Sequence, residues 1–320
     1  MAEITKYDWT YIAKNEIGKR VFEIIDKEKT EKPTSLFKLY SLNENGVSSL
    51  LEQYIYATHP HQFNDIFDCF EQLIDFDDDE FVFEYLKKLH PNELTDEQLK
   101  AKIASRKADA SISAQRNARE DFYREIGVFS MTSNIYSLLM WSYYTNHQGF
   151  FIEFDYQQFP FKFHGPFPLN YQEDISPVSL KECGIDLAML LQTNLKYIGW
   201  QHENEWRLLI ESDAPMFCPS FEEIKALGGR ARKFNYPINA IKSVGFGNRF
   251  FEPEELRIES DKILHITLKN NVSLKARVLD FLIEHNITSC MSLRDGLIKI
   301  SFGGITIKKT ETDKYVFTGR

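Results

Sequence analysis

The chain has 320 residues, 43% of them apolar and 14% aromatic, which supplies a sizeable core and excludes an intrinsically disordered chain. A formal net charge of −9 excludes a surface that attracts nucleic acid as a whole, while leaving room for a local basic face. No apolar run is long enough for a membrane-spanning helix. The opening MAEITKYDWTYIAKNE lacks a basic region followed by an apolar one. Cys69, Cys183, Cys218 and Cys290 form no CxxC pair, so neither a zinc ribbon nor a disulfide framework is expected, and a cytoplasmic protein with reduced thiols is.

In chain order, Ile12, Ile17, Val21, Phe22, Ile24 and Ile25 recur at broadly helical spacing and predict a helix over 8–29, with Asp8 as N-cap and Pro33 beyond its end. Segment 35–42 reads as a strand, 45–53 as a short helix, and 54–60 as a strand ending at Pro60. FNDIFDCFEQLI (63–74) begins in a turn and becomes helical, and an acidic cluster follows at 75–80. Two helices are predicted over 80–90 and 95–125. The second carries Lys100, Lys102, Arg106, Lys107, Arg116, Arg119 and Arg124 with few large apolar residues. It cannot bury a wide face, so it is either a solvated excursion or a face for phosphate or a partner.

Segment 126–131 is a predicted strand, and 134–146 a buried aromatic helix stopped by Gly149 in a left-handed cap. Further strands are expected at 150–155, 161–171, 205–211 and 238–247, helices at 184–199 and 252–264, and alternating elements with terminal hairpins over 273–320. The pattern is α+β, without regular βαβ alternation. GxGxxG after a strand, GxxxxGK[ST], HExxH and GxSxG are all absent.

Three segments carry chemistry. FNDIFD (63–68) sets Asn64, Asp65 and Asp68 at a turn, as caps or as a polar pocket wall. Trp141, Tyr143, Tyr144 and His147 crowd the 134–149 region; Tyr144 and His147, three apart, share a helical face. In ENEWRLL (203–209), Glu203, Glu205 and Arg207 fall on one strand face and Trp206, Leu208 and Ile210 on the other. Either Arg207 neutralises Glu205 on an exposed face, or the two carboxylates face a sugar, where one steadies an oxocarbenium-like state and the other directs a nucleophile.

LFKLYSL, YIYATHPHQFNDIFD, GVFSMTSNIYSLLMWSYYTNHQGFFIEFD, ENEWRLL and IKSVGFG, in that order over residues 35–250, resemble the bacterial domain-of-unknown-function 2971 family, whose members look like accessory or phage-defence genes. The family has Arg where Tyr40 stands, Pro at Ile66 and His at Tyr143. More distantly, the element order is similar to the ADP-ribosyltransferase fold. That fold has a first strand with Arg or His, a second ending in a small polar motif, and a late strand opening with Glu or Gln, one residue, then catalytic Glu. Lys38 or Tyr40, then Ala57–Thr58 and Asn64, then Glu203 and Glu205 stand at these places.

The resemblance implies a split mixed or antiparallel sheet core with added helices. The division expected from it is a helical extension over 1–33, a core over 34–250 with a basic helical insertion at about 75–125, and an α/β extension over 251–320. It implies NAD as substrate, with Glu205 and Glu203 catalytic and Lys38, Tyr40, Asn64, Asp65, Tyr143, Tyr144, His147 and Arg207 around the dinucleotide. Tyr143 or Tyr144 would stack the nicotinamide. The implied function is an ADP-ribosyltransferase toxin or phage-defence effector, with RNA, DNA or protein as acceptor, the basic helix at 99–125 as a nucleic-acid face, an antitoxin or chaperone as partner, and neither membrane nor metal involved. Two other readings stay open: a metal-dependent nuclease using Asp65, Asp68, Glu203 and Glu205 as oxygen ligands, and a non-catalytic binding module.

Overall fold

The computed structural model describes residues 1–16, 19–26, 28, 31–70, 73–75, 79–89, 93–105, 126–211, 232–295 and 299–319. Among them runs an 11-stranded sheet. Its order is Leu256–Ser260, Ile263–Thr267, Lys314–Gly319, Lys299–Glu311, Ser289–Asp295, Ile241–Phe246, Phe150–Phe154, Leu36–Tyr40, Ile126–Thr132, Glu205–Glu211 and Phe163–Pro168. Strands 241–246 and 289–295 pair in parallel and the other neighbours antiparallel, so the fold is mixed α and β on a large mixed sheet.

Strand alternation sorts the residues between two cores. Trp206, Leu208 and Ile210 point into one with Leu36, Ile152, Phe154 and Phe246. Leu209 joins Val128 and Leu187–Leu191 in the other, beneath the helix Leu180–Asn194. The helix Val272–Glu284 places Val278, Leu279, Phe281 and Leu282 in the first core. Residues beyond 250 therefore extend the same sheet and the same core.

The helix expected over 8–29 is instead a three-stranded antiparallel sheet of Ala2–Lys6, Trp9–Glu16 and Lys19–Ile25. Trp9, Tyr11 and Ala13 alternate inward, as do Phe22 and Ile24, and this period-2 set prevails over the looser helical spacing. Asp8 is not a cap. It shares with Tyr7 a tight turn in which both residues have positive φ, 63° and 52°, as a two-residue hairpin requires. Tyr11 donates its hydroxyl to Asn194 and accepts from Asn170, each at 2.9 Å, which ties this small sheet to the main body.

Three other expectations are corrected. Residues 63–70 stay in turns instead of turning helical. Segment 252–264 is a short 3-10 turn at Pro253–Glu255 leading into a hairpin, because Leu256, Ile258, Ile263 and Ile266 favour strands. The helix Leu138–Thr145 is ended by Asn146 in the left-handed conformation, followed by His147 with φ 59°, and not by Gly149. Gly149 serves close approach: a Cβ there would lie 2.1 Å from the Tyr40 carbonyl oxygen. In the basic segment, Asp96–Ala104 is helical behind a Thr95–Gln98 capping box. Arg106, Lys107, Arg116, Arg119 and Arg124, like Cys218, lie outside the described residues.

One irregularity positions the site. Strand 36–40 pairs along its whole length with 150–154, but meets 126–132 at the single position Phe37–Thr132. Beyond that rung the two strands part, and strand 126–132 bonds Thr58 at Val128.

Candidate functional site

The gap between the parted strands opens into a cavity of about 360 Å³. Lys38 reaches in from one side, and its Nζ donates to the Ser130 carbonyl at 2.7 Å, taking an acceptor that the ladder leaves free. Tyr144 descends from the helix 138–145, and Asn64 and Asp68 come from the 63–70 turns. Glu203 and Glu205 form the far wall. Of the residues expected around the dinucleotide, the cavity therefore gathers Lys38, Asn64, Tyr144, Glu203 and Glu205.

The two glutamates do not share a strand as expected. Glu203 ends a 3-10 segment, Asn204 turns the chain at φ 42°, and the strand starts at Glu205. Both side chains still converge, on Lys196. Its ammonium donates to Glu203 Oε2 at 2.6 Å and to Glu205 Oε2 at 2.9 Å, and lies 3.4 Å from Asp68. Arg207 Nε donates to Glu205 Oε1 at 2.8 Å, and its Nη2 binds Asp68. The Tyr144 hydroxyl donates to Glu203 Oε1. The Glu205 backbone N–H donates to the Tyr171 hydroxyl at 2.9 Å, and Thr132 donates to the Glu203 carbonyl at 2.6 Å.

The Glu205–Arg207 pair does not lie on an exposed face: Glu205 is 6% and Arg207 1% accessible. Three carboxylates here face two cations. Burial alone would raise the Glu205 carboxyl, but Arg207 and Lys196 overcome it and hold the group far below the usual carboxylate range. Glu203 goes the other way. Burial and the neighbouring Glu205 charge raise it, against the opposing pull of Lys196 and Tyr144. Burial likewise lowers Lys38, against the attraction of Glu205 and Glu203. Two carboxylates one residue apart are thus driven to opposite protonation behaviour, the pattern that separates an ionised stabiliser from a proton carrier.

The other nominated residues lie elsewhere. Tyr143 is exposed, its ring 6.2 Å from that of His202. His147 leaves the helix before it can share a face with Tyr144; its N–H binds the Trp141 carbonyl at 3.0 Å, and burial, with Arg249 nearby, lowers its imidazole pKa. Asp65 accepts from the Phe67 N–H at 2.9 Å as a turn cap. Arg207 sits behind Glu205 and does not line the cavity. Tyr40 stacks on Phe150 at 5.7 Å and belongs to a second cavity. The nuclease reading does not fit. Asp68, Glu203 and Glu205 are drawn onto Lys196 and Arg207, Asp65 is turned to its own cap, and among the described residues no group of three His, Cys, Asp or Glu is arranged to hold a metal ion.

Sequence reasoning missed Lys196, the hub of the cluster. Its signal was present: a single lysine between Leu195 and Tyr197 in the otherwise uncharged run 187–200, and buried lysines require partners. Comparison of the chain with protein-family models, curated proteins and solved structures finds no match.

Proposed function

We propose that this cavity transfers ADP-ribose from NAD to an acceptor hydroxyl or amine on nucleic acid or protein. The observation that carries the reading is the convergence of Lys38, Asn64, Tyr144, Glu203 and Glu205 on one cavity. In this reading the bond between the nicotinamide nitrogen and ribose C1′ breaks, and its electron pair leaves with nicotinamide. The developing oxocarbenium ion is stabilised by Glu205, kept ionised by Arg207 and Lys196. The acceptor then bonds to C1′ and passes its proton to Glu203, whose raised affinity for protons suits a general base. Tyr144 orients that base by donating to its other oxygen.

The test is incubation of the purified protein with NAD, alone and with total RNA or protein, reading nicotinamide release and label transfer. Release or transfer that is lost in Glu203→Gln supports the proposal. Neither release nor transfer with any acceptor overturns it.

A further inference from the structure

A second cavity, of about 630 Å³, lies on the other side of Lys38, Leu39, Gln62 and Tyr144, which it shares with the first as a common wall. Its character is opposite. The first cavity is lined by Asp68, Glu203 and Glu205 against Lys38 and Lys196, which leaves an excess of one carboxylate. The second is lined by Lys233, by Lys38, whose ammonium is bound to Ser130 on the side of the first cavity, and, among the described residues, by no carboxylate, in a chain whose net charge is −9. Lys233 is held over the Tyr54 ring at 3.8 Å, and a carboxylate oxygen of Glu52, on the outer surface, is 3.8 Å away. Tyr54 and Tyr56 add aromatic wall, and the first turn of helix Glu44–Leu51 adds Asn45 and Gly46. The Tyr40 hydroxyl, shielded from solvent, has no hydrogen-bond partner among the described residues.

We propose that the second cavity is a nucleotide-phosphate subsite, taking a phosphate against Lys233 and the attached nucleoside against the tyrosines. The proposal rests on the NAD reading for its biological substrate and deepens it. A dinucleotide whose nicotinamide end is cationic and whose pyrophosphate is anionic matches two adjoining chambers of opposite sign.

The experiment is calorimetric titration of the full chain with AMP, inorganic phosphate and nicotinamide, for the wild type, Lys233→Glu, Glu203→Gln and the exposed control Lys262→Glu. One AMP site is expected, weakened at least tenfold in Lys233→Glu and changed less than twofold in Glu203→Gln and Lys262→Glu. Inorganic phosphate should compete with AMP but bind more weakly. No AMP binding, AMP binding indifferent to Lys233→Glu, or phosphate binding as tightly as AMP (an adventitious anion only) overturns the proposal. If AMP binds as expected and NAD is neither bound nor cleaved, the subsite stands and the transferase reading falls.

Discussion

Arg207 and Glu205 are bound to each other at 2.8 Å from the same face of one strand, and neither side chain is more than 6% exposed. Taking two charges out of water is costly, and the pair persists because Asp68 and Lys196 complete its hydrogen bonds. The cluster is thus a precondition of the cavity and not an added source of stability.

Arg207→Met is expected to lower the unfolding free energy by about 3–5 kcal/mol, because Glu205 and Asp68 then stay buried with too little positive charge. Urea denaturation measures it. Adding Glu205→Gln should restore part of the loss, with a coupling of about 0.5–3 kcal/mol between the two sites. Additive effects would show that the residues do not act as a pair.

Glu203→Gln should separate activity from stability. Loss of a general base slows transfer by about 10²–10⁴-fold, while the melting temperature holds or rises because a disfavoured buried charge is gone. Glu205→Gln should lose both transfer and stability. Nicotinamide release and thermal melting, read side by side, decide between these outcomes.

The two carboxylates also predict opposite pH dependences. The folded-state pKa of Glu205 is depressed, so its stabilisation is present above the unfolded value of about 4.3 and is lost as pH falls below it toward the folded pKa. Glu203 is raised, so from the unfolded value up to its folded pKa the folded state holds the extra proton, and stability falls as pH rises through that window. Unfolding curves between pH 3 and 7 should show a shallower acid decline for Glu205→Gln, and a gain for Glu203→Gln confined to the higher end.

Gly149→Ala should destabilise by about 1–3 kcal/mol, the usual cost of overpacking, since the added carbon would meet the Tyr40 carbonyl and the Thr145 side chain at 2.1 and 2.8 Å. The collision falls on strand 36–40, which carries Lys38. A loss of transfer activity is therefore expected even at temperatures where the variant remains folded. Denaturation and activity at 15 °C measure the two effects separately.

The central strands were legible because they are short apolar runs with clear bounds. Strand 205–211 sets Trp206, Leu208 and Ile210 on one face, with Leu209 adding an apolar residue to the other, and 36–40, 126–132 and 150–154 stand where their patterns put them. The N-terminal sheet was not, since Ile12, Phe22 and Ile25 fit a helical repeat, whereas packing on Leu187 and Leu191 from far along the chain selects the strand set Tyr11, Ala13 and Phe22 and leaves Ile25 exposed. At the site, Glu203, Glu205, Tyr144 and Asn64 were nominated from local motifs and Lys38 from the resemblance alone, and the five line one cavity. His147 and Tyr143 lie off the cavity because left-handed backbone at Asn146 and His147 ends the helix, and because a helix presents neighbouring residues to different sides. Lys196 was missed because its three carboxylate partners come from two stretches of chain, Asp68 from one and Glu203 with Glu205 from the other.

Tyr11 bridges Asn170, which opens the strand Asn170–Gln172, and Asn194, the last residue of helix Leu180–Asn194, directly before the parallel strand Leu195–Tyr197 that carries Lys196. The outlying N-terminal sheet is in this sense a brace bolted to the back of the cavity wall. A chain trimmed of its first 25 residues would keep every side chain that touches the cavity, yet the segment holding the central ammonium would lose its anchorage.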